Sequence, residues 1–182
     1  MITDWKQIGE KREASGIDQY IIKLDHVAYR VKKGEREKLM GELMNLIPYR
    51  LFKSFKVIRS NATTIAMKLS ESLPVIVISE GLSDDSIVEK YSQKYGSRVH
   101  HLAYLVTDID KVVEIQKSRG VKFTTEEIIG SEEEGIKQIF TFPTETSNHI
   151  IEYIQRFGDF DGFFTPSNIA GLMNSTEKLG EH

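Results

Sequence analysis

Three residues carry the chemistry open to this chain: His26, His101 and Glu152. The histidines lie in LDHVAYRV and VHHLAYLV, segments that share the frame His, Val or Leu, Ala, Tyr, any residue, Val. They hold the same place in that frame, 75 residues apart, which is the period of an internal duplication. Side chains alternate across a strand, so His26 shares a face with Leu24, Ala28 and Arg30, and His101 with Ala103 and Leu105. With equivalent faces turned inward, both imidazoles enter one cleft, where the small alanines leave room. The segment HIIEYIQRF adds Glu152, flanked on its own face by Ile150 and Ile154. An ionised carboxylate in apolar surroundings needs a paired charge or a metal. One period before Glu152 stands Val77, so the first half brings no fourth ligand. Two histidines and one carboxylate with open positions is the arrangement that suits Fe(II) with a substrate and O₂, although Mn(II), Co(II) and Zn(II) accept the same donors.

The elements that must position these residues follow from periodicity. After a polar lead-in (1–17), QYIIKLDHVAYRV reads as a strand. EREKLMGELMNLIP reads as an amphipathic helix, with Leu39, Leu43 and Leu46 beside Met40, Met44 and Ile47, ended by Pro48. RLFKSFKVI, TTIAMKL and PVIVISE read as three further strands. This first βαβββ module covers 18–82. SDDSIVEKYSQKYG (83–97) reads as a linking helix, with Ser83 as N-cap and acidic residues in its first turn. The pattern then restarts over 98–158: strand RVHHLAYLV, helix DIDKVVEIQKSRG capped by Asp108, and strands VKFTTEEI, IKQIFTF and HIIEYIQRF. Residues 159–182 would form a C-terminal gate and a helix with Pro166 at its first position. The expected fold is α+β, two βαβββ modules making one domain with a curved mixed sheet around a metal-binding cleft.

Composition narrows the function. The chain has 182 residues, enough for one large domain or two small packed modules. Lys and Arg total 24 against 27 Asp and Glu, so no positive field attracts nucleic acid or a membrane. The absence of cysteine removes disulfides, thiolate metal sites and cysteine nucleophiles. No stretch approaches the roughly 20 apolar residues of a membrane span, and the charged N-terminus has no apolar leader, so a cytoplasmic protein is expected.

The duplicated plan resembles the vicinal oxygen chelate superfamily, the glyoxalase, bleomycin resistance and dioxygenase fold. Within it, LDHVAY, SIVEKYSQKYGSRVHHLAYLVTDIDKVVEIQKSRGVKF, KQIFTFP and IIEYIQRFG are similar to the catalytic domain of the 4-hydroxyphenylpyruvate dioxygenase family. The resemblance implies a non-haem Fe(II) dioxygenase using O₂ and a small oxo-acid-type or other oxygen-chelating substrate. It puts the metal on His26, His101 and Glu152, and a substrate contact on Gln138. Two family glutamines are replaced, by Ser86 on the linking helix and by His100 just before the second ligand. The family's C-terminal gate becomes GDFDGFFTPSN, in which Phe160, Phe163 and Phe164 match loosely. The family enzyme also carries a further duplicated domain, for which this chain has no room.

Several readings stay open at this level. Metal isomerases of the duplicated type usually supply four protein ligands, which sets a glyoxalase-type isomerase, lyase or hydrolase second. A binding module without chemistry is third. Arg30 either pairs with a substrate carboxylate or reaches solvent at the strand end. His100 and His149 have the opposite parity to the ligands and read as outward or helix-packed. Glu132–Glu134 read as a solvated hairpin tip. The phenylalanine group is either a pocket lid or the contact that docks the last helix. A twofold homodimer is left open.

Overall fold

The computed structural model describes residues 4–158, 163–165, 168, 169, 171, 172 and 175. The polar lead-in forms helix α1 (Trp5–Ser15), capped by Asp4, whose carboxylate accepts from the backbone N–H groups of Lys6 and Gln7. The first module comprises β1 (Ile21–Val31), α2 (Arg36–Leu46), β2 (Arg50–Val57), β3 (Ala62–Lys68) and β4 (Val75–Gly81). The linking helix α3 (Ile87–Tyr95) leads to β5 (Arg98–Val106), α4 (Ile109–Ser118), β6 (Ile129–Ser131), β7 (Ile136–Phe140) and β8 (Ile150–Arg156).

All eight strands join one curled mixed sheet in the order β2-β3-β4-β1-β5-β8-β7-β6. The order is symmetric about the β1–β5 seam. Both modules repeat the same pairing: β1 runs parallel to β4 and β5 parallel to β8. Ala28 stands opposite Val77, and Ala103 opposite Glu152. The duplication read from the His frame is thus reproduced in the register, and Val77 occupies the place in the first module that Glu152 takes in the second.

The helices cover the outer face unequally. Ile109, Val112 and Val113 of α4 are buried against Val106, Ile139 and Tyr153. Asp108 caps that helix, accepting from the Lys111 backbone N–H. From α2, Leu39, Met40 and Leu43 pack on Val31, Ile65, Met67, Ile76 and Ile78, but none of its residues is fully buried. The far end of the stripe read from sequence, Met44, Leu46 and Ile47, is exposed.

Two local expectations are corrected. The strand expected over VKFTTEEI is reduced to a single bridge, Phe123 with Thr141, before β6 begins at Ile129 opposite Gln138. At this sheet edge the charged residues between them turn to solvent, where no neighbour requires a ladder. The linking helix starts after Ser86 rather than Ser83, so Glu89 and not Asp84 or Asp85 sits in its first turn. At the C-terminus, Asn168, Ile169, Gly171, Leu172 and Ser175 are helical, and Thr165 Oγ1 accepts from the Asn168 backbone N–H. Pro166 and Phe160 lie outside the described residues.

Candidate metal centre

Two β-bulges shape the site. Between β1 and β5, Leu24 pairs with Tyr104 and His26 with Ala103, so Asp25 is an extra residue on β1. Ala28 then pairs with His101 and Tyr29 with Val99, so His100 is an extra residue on β5. A bulge breaks strict alternation and re-aims the side chains beside it. Each histidine of the frame therefore has its predecessor against its own ring. Asp25 Oδ2 lies 2.8 Å from His26 Nδ1, and His100 Nδ1 lies 2.8 Å from His101 Nδ1. Asp25 and His100 are themselves one duplication period apart.

With their Nδ1 atoms held, the histidines turn Nε2 toward each other, 3.2 Å apart. Glu152 Oε2 completes a triangle, 3.2 Å from His26 Nε2 and 3.3 Å from His101 Nε2. All three side chains are buried. Neither carboxylate oxygen of Glu152 makes a hydrogen bond of good geometry among the described residues. A buried carboxylate left this way is costly, and the remedy the surroundings offer is a cation. Three donors this close can all reach one ion at ordinary bond lengths of about 2.0–2.2 Å, so the cluster could hold a metal.

The electrostatics of the metal-free cluster are uneven. Burial pulls the His26 imidazole down, but Glu152 and Asp25 outweigh it and raise its pKa to about 9. His101 goes the other way, held well below the usual imidazole range by burial and by the charges of His26 and Arg30. Burial raises the Glu152 carboxyl, and His26 opposes that rise. Asp25 also meets a burial penalty, yet its hydrogen bonds to His26 and Arg156 leave it well below the usual carboxylate range.

Arg156 was not singled out in the sequence. Its Nε and Nη2 grip both oxygens of Asp25, at 3.1 and 2.8 Å. Its Nη1 donates to the Phe163 carbonyl at 2.7 Å, with the guanidinium stacked on the Phe163 ring. Alternation along β8 could have found it, since Arg156 is four residues beyond Glu152 and shares its face. Asp25 could not be found that way, because only the bulge brings it around.

The remaining candidates fall at different depths. Arg30, His100, His101, Gln138 and Phe164 line one cavity of about 30 Å³. Arg30 is buried, its guanidinium over the Tyr91 ring at 5.3 Å, which replaces the solvent-reaching alternative. His100 is buried against Tyr91 of α3, and the bulge adds the inward exposure that parity did not foresee. Gln138 donates to the Asn168 carbonyl at 2.7 Å. Ser86 is buried elsewhere, its hydroxyl donating to the Ser60 carbonyl at 2.8 Å, and it does not line the cavity. Phe163 and Phe164 pack edge-on against the His26 ring, at 5.7 and 5.2 Å between centroids. Phe163, at φ +64°, also lines an open groove of about 500 Å³ beside Lys23, Phe52 and Lys68.

Paired βαβββ modules around a buried His, His, Glu cluster define a class in which one cleft serves two duplicated halves. A profile of the Glyoxalase/Bleomycin resistance protein/Dioxygenase superfamily matches residues 21–140, and the chain belongs to that superfamily. No curated protein sequence matches. Among solved structures, a 4-hydroxymandelate synthase mutant from Streptomyces coelicolor is similar at TM-score 0.71 and 23% identity, over 86% of this chain and 53% of that one. A methylmalonyl-CoA epimerase is similar at TM-score 0.62 and 25% identity, over 76% of this chain and 98% of that one. The epimerase from Mycobacterium tuberculosis gives 0.64 and 19%, over 79% and 94%. Among the described residues, no helix is long and apolar enough to cross a membrane.

Proposed function

We propose that this protein is a non-haem Fe(II) dioxygenase acting on a small oxo-acid-type substrate that chelates through two oxygens. The observation that carries this reading is the three-donor cluster with Val77 in the place of a fourth ligand. Iron(II) held by His26, His101 and Glu152 would supply one-electron chemistry and open positions at which such a substrate and O₂ meet. The chemistry supplied there would be oxidative decarboxylation, in which a 2-oxo acid would lose CO₂ while one atom of O₂ went to the new carboxylate and the other to the remaining carbon skeleton.

The chain's own residues have definite tasks in this reading. Asp25 accepts the Nδ1 proton of His26 and His100 that of His101, which leaves each Nε2 lone pair for the metal. Gln138, fixed by Asn168, presents a polar edge to the substrate. Phe164 is one wall of a cavity with room for no more than a few waters, so admission of an organic substrate displaces it and its return excludes water.

Oxygen consumption tests the proposal. With Fe(II) and ascorbate, at least one member of a panel of aryl and alkyl 2-oxo acids should drive O₂ uptake, and Glu152→Ala should abolish it. A divalent-metal isomerase is the second reading, favoured by the match to nearly the full length of a methylmalonyl-CoA epimerase. Anaerobic turnover with Mn(II) or Co(II), and no O₂ uptake with any 2-oxo acid, would move the assignment there.

A further inference from the structure

The inner face of the first module is layered by the strand register. His26 and Val75 form one row, and Ala28, Val77 and Ala66 the next. Beyond them Arg30, Ser79 and Thr64 stand side by side on β1, β4 and β3. A short apolar belt thus separates the metal cluster from a polar row whose three members are all buried.

That row is built to donate. The Thr64 and Ser79 hydroxyls are 2.7 Å apart, and the hydrogen bond between them uses one of their two O–H groups, leaving the other to give. Arg30 contributes a guanidinium, which suits a carboxylate through paired N–H groups. His100, brought inward by its bulge, lines the same cavity. Among the described residues lining this cavity there is one guanidinium and no Asp or Glu. A guanidinium on the wall of a water-poor cavity suits an anion there.

We propose that Arg30, Ser79 and Thr64 form a second subsite, which takes a carboxylate at the far end of a substrate whose near end chelates at the metal cluster. The substrate class is then a 2-oxo acid with a second carboxylate across a short apolar spacer, seated over Ala28, Val77 and Ala66. This rests on the chelating-substrate reading above. The 2-oxo acid's own carboxylate is at the metal, so the Arg30 subsite is a separate determinant of specificity.

The test is anaerobic binding calorimetry on the Fe(II)-loaded protein with matched pairs: 2-oxoglutarate against 2-oxopentanoate, and 2-oxoadipate against 2-oxohexanoate. The second carboxylate should tighten binding at least tenfold in one pair. Arg30→Gln should erase that preference and leave the monocarboxylate affinity within about twofold. Equal affinities within both pairs, or a preference that survives Arg30→Gln, would overturn the subsite while the chelation reading stands. If no 2-oxo acid binds, chelation fails, and glutarate against pentanoate decides the subsite alone: an Arg30-dependent preference keeps it and none overturns it. One bound metal equivalent certifies that Arg30→Gln is folded. Should it misfold, Thr64→Val and Ser79→Ala carry the same comparison, with a loss of preference of about threefold each expected and no loss overturning the proposal.

Discussion

The two modules have the same topology and opposite inner faces. Where the second module carries Ala103, Glu152 and Phe140 in one row, the first carries Ala28, Val77 and Ala66. Where the first carries Arg30, Ser79 and Thr64, the second carries Leu105, Ile154 and Gln138. The acid sits in one half and the guanidinium in the other. Duplication supplies two equivalent frameworks, and divergence at a few inward positions gives one half the anionic donor and the other the cationic pocket. With a histidine in each half, a cleft whose halves were alike would hold either two ligands or four.

The sharpest way to break this comparison is to remove each member of the Glu152 and Val77 pair. Glu152→Ala should weaken Fe(II) binding by about a thousandfold or more in anaerobic titration, since it leaves two imidazoles. Val77→Ala should leave stoichiometry and affinity unchanged. Equal effects would mean that the halves share the metal in a way the three-donor cluster does not describe.

The outer faces differ as well, and stability measurements read that difference. Ile109 on α4 is fully buried, so Ile109→Ala should cost about 2–5 kcal/mol in denaturant unfolding. Leu46 on α2 is 80% exposed, and Leu46→Ala should stay within about 0.5 kcal/mol. Ile109, Val112, Val113 and Gln116 of α4 have the same i, i+3, i+4, i+7 spacing as the apolar stripe of α2. Periodicity shows which face a helix offers but not how much of it is covered, and the last turn of α2 leaves Met44 and Leu46 exposed.

The cluster itself was legible for a related reason. His26, His101 and Glu152 follow from repeat and alternation, two signals that survive when a strand is read alone. Asp25 against His26 and His100 against His101 are invisible at that level, because a bulge is a property of a strand pair. The bulges at Asp25 and His100 turned both against the neighbouring histidines; His100 packs on Tyr91 of α3, one of the two readings of its parity, and also reaches the cavity. Ser86 shows the reverse failure: alignment by resemblance gave it a place near substrate, while its hydroxyl is used to tie α3 to the turn at Ser60.

The neighbours of the two histidines offer a finer test. Asp25 is a carboxylate held by Arg156, and His100 is neutral, so the first histidine is supported by charge and the second by a hydrogen bond alone. Asp25→Asn keeps the shape and removes the charge. It should lower metal affinity by about 10- to 100-fold, as outer partners of metal ligands generally do. His100→Gln, which keeps an acceptor for His101 Nδ1, should cost less than Asp25→Asn. The reverse order would mean that support of the second histidine matters more.

The smallest effect is a slope. In the metal-free protein His26 titrates at about 9 and His101 well below the usual imidazole range. Of the two histidines only His26 must lose a proton to bind metal between about pH 7 and 9, so it should contribute a rise in affinity of about tenfold per pH unit there that flattens above 9. A hundredfold rise per unit that persists in Glu152→Gln would put a proton on both histidines and erase the asymmetry between the halves. Stability moves oppositely. The folded pKa of His26 is raised above its unfolded value of about 6.5, so the folded state binds the proton more tightly than the unfolded chain. That contribution is complete below about pH 6.5 and is lost as pH rises through 9. The metal-free protein should therefore melt at a lower temperature at pH 9.5 than at pH 6.5. In the metal-loaded protein that His26 contribution should vanish, because the ion has already taken the proton's place on Nε2.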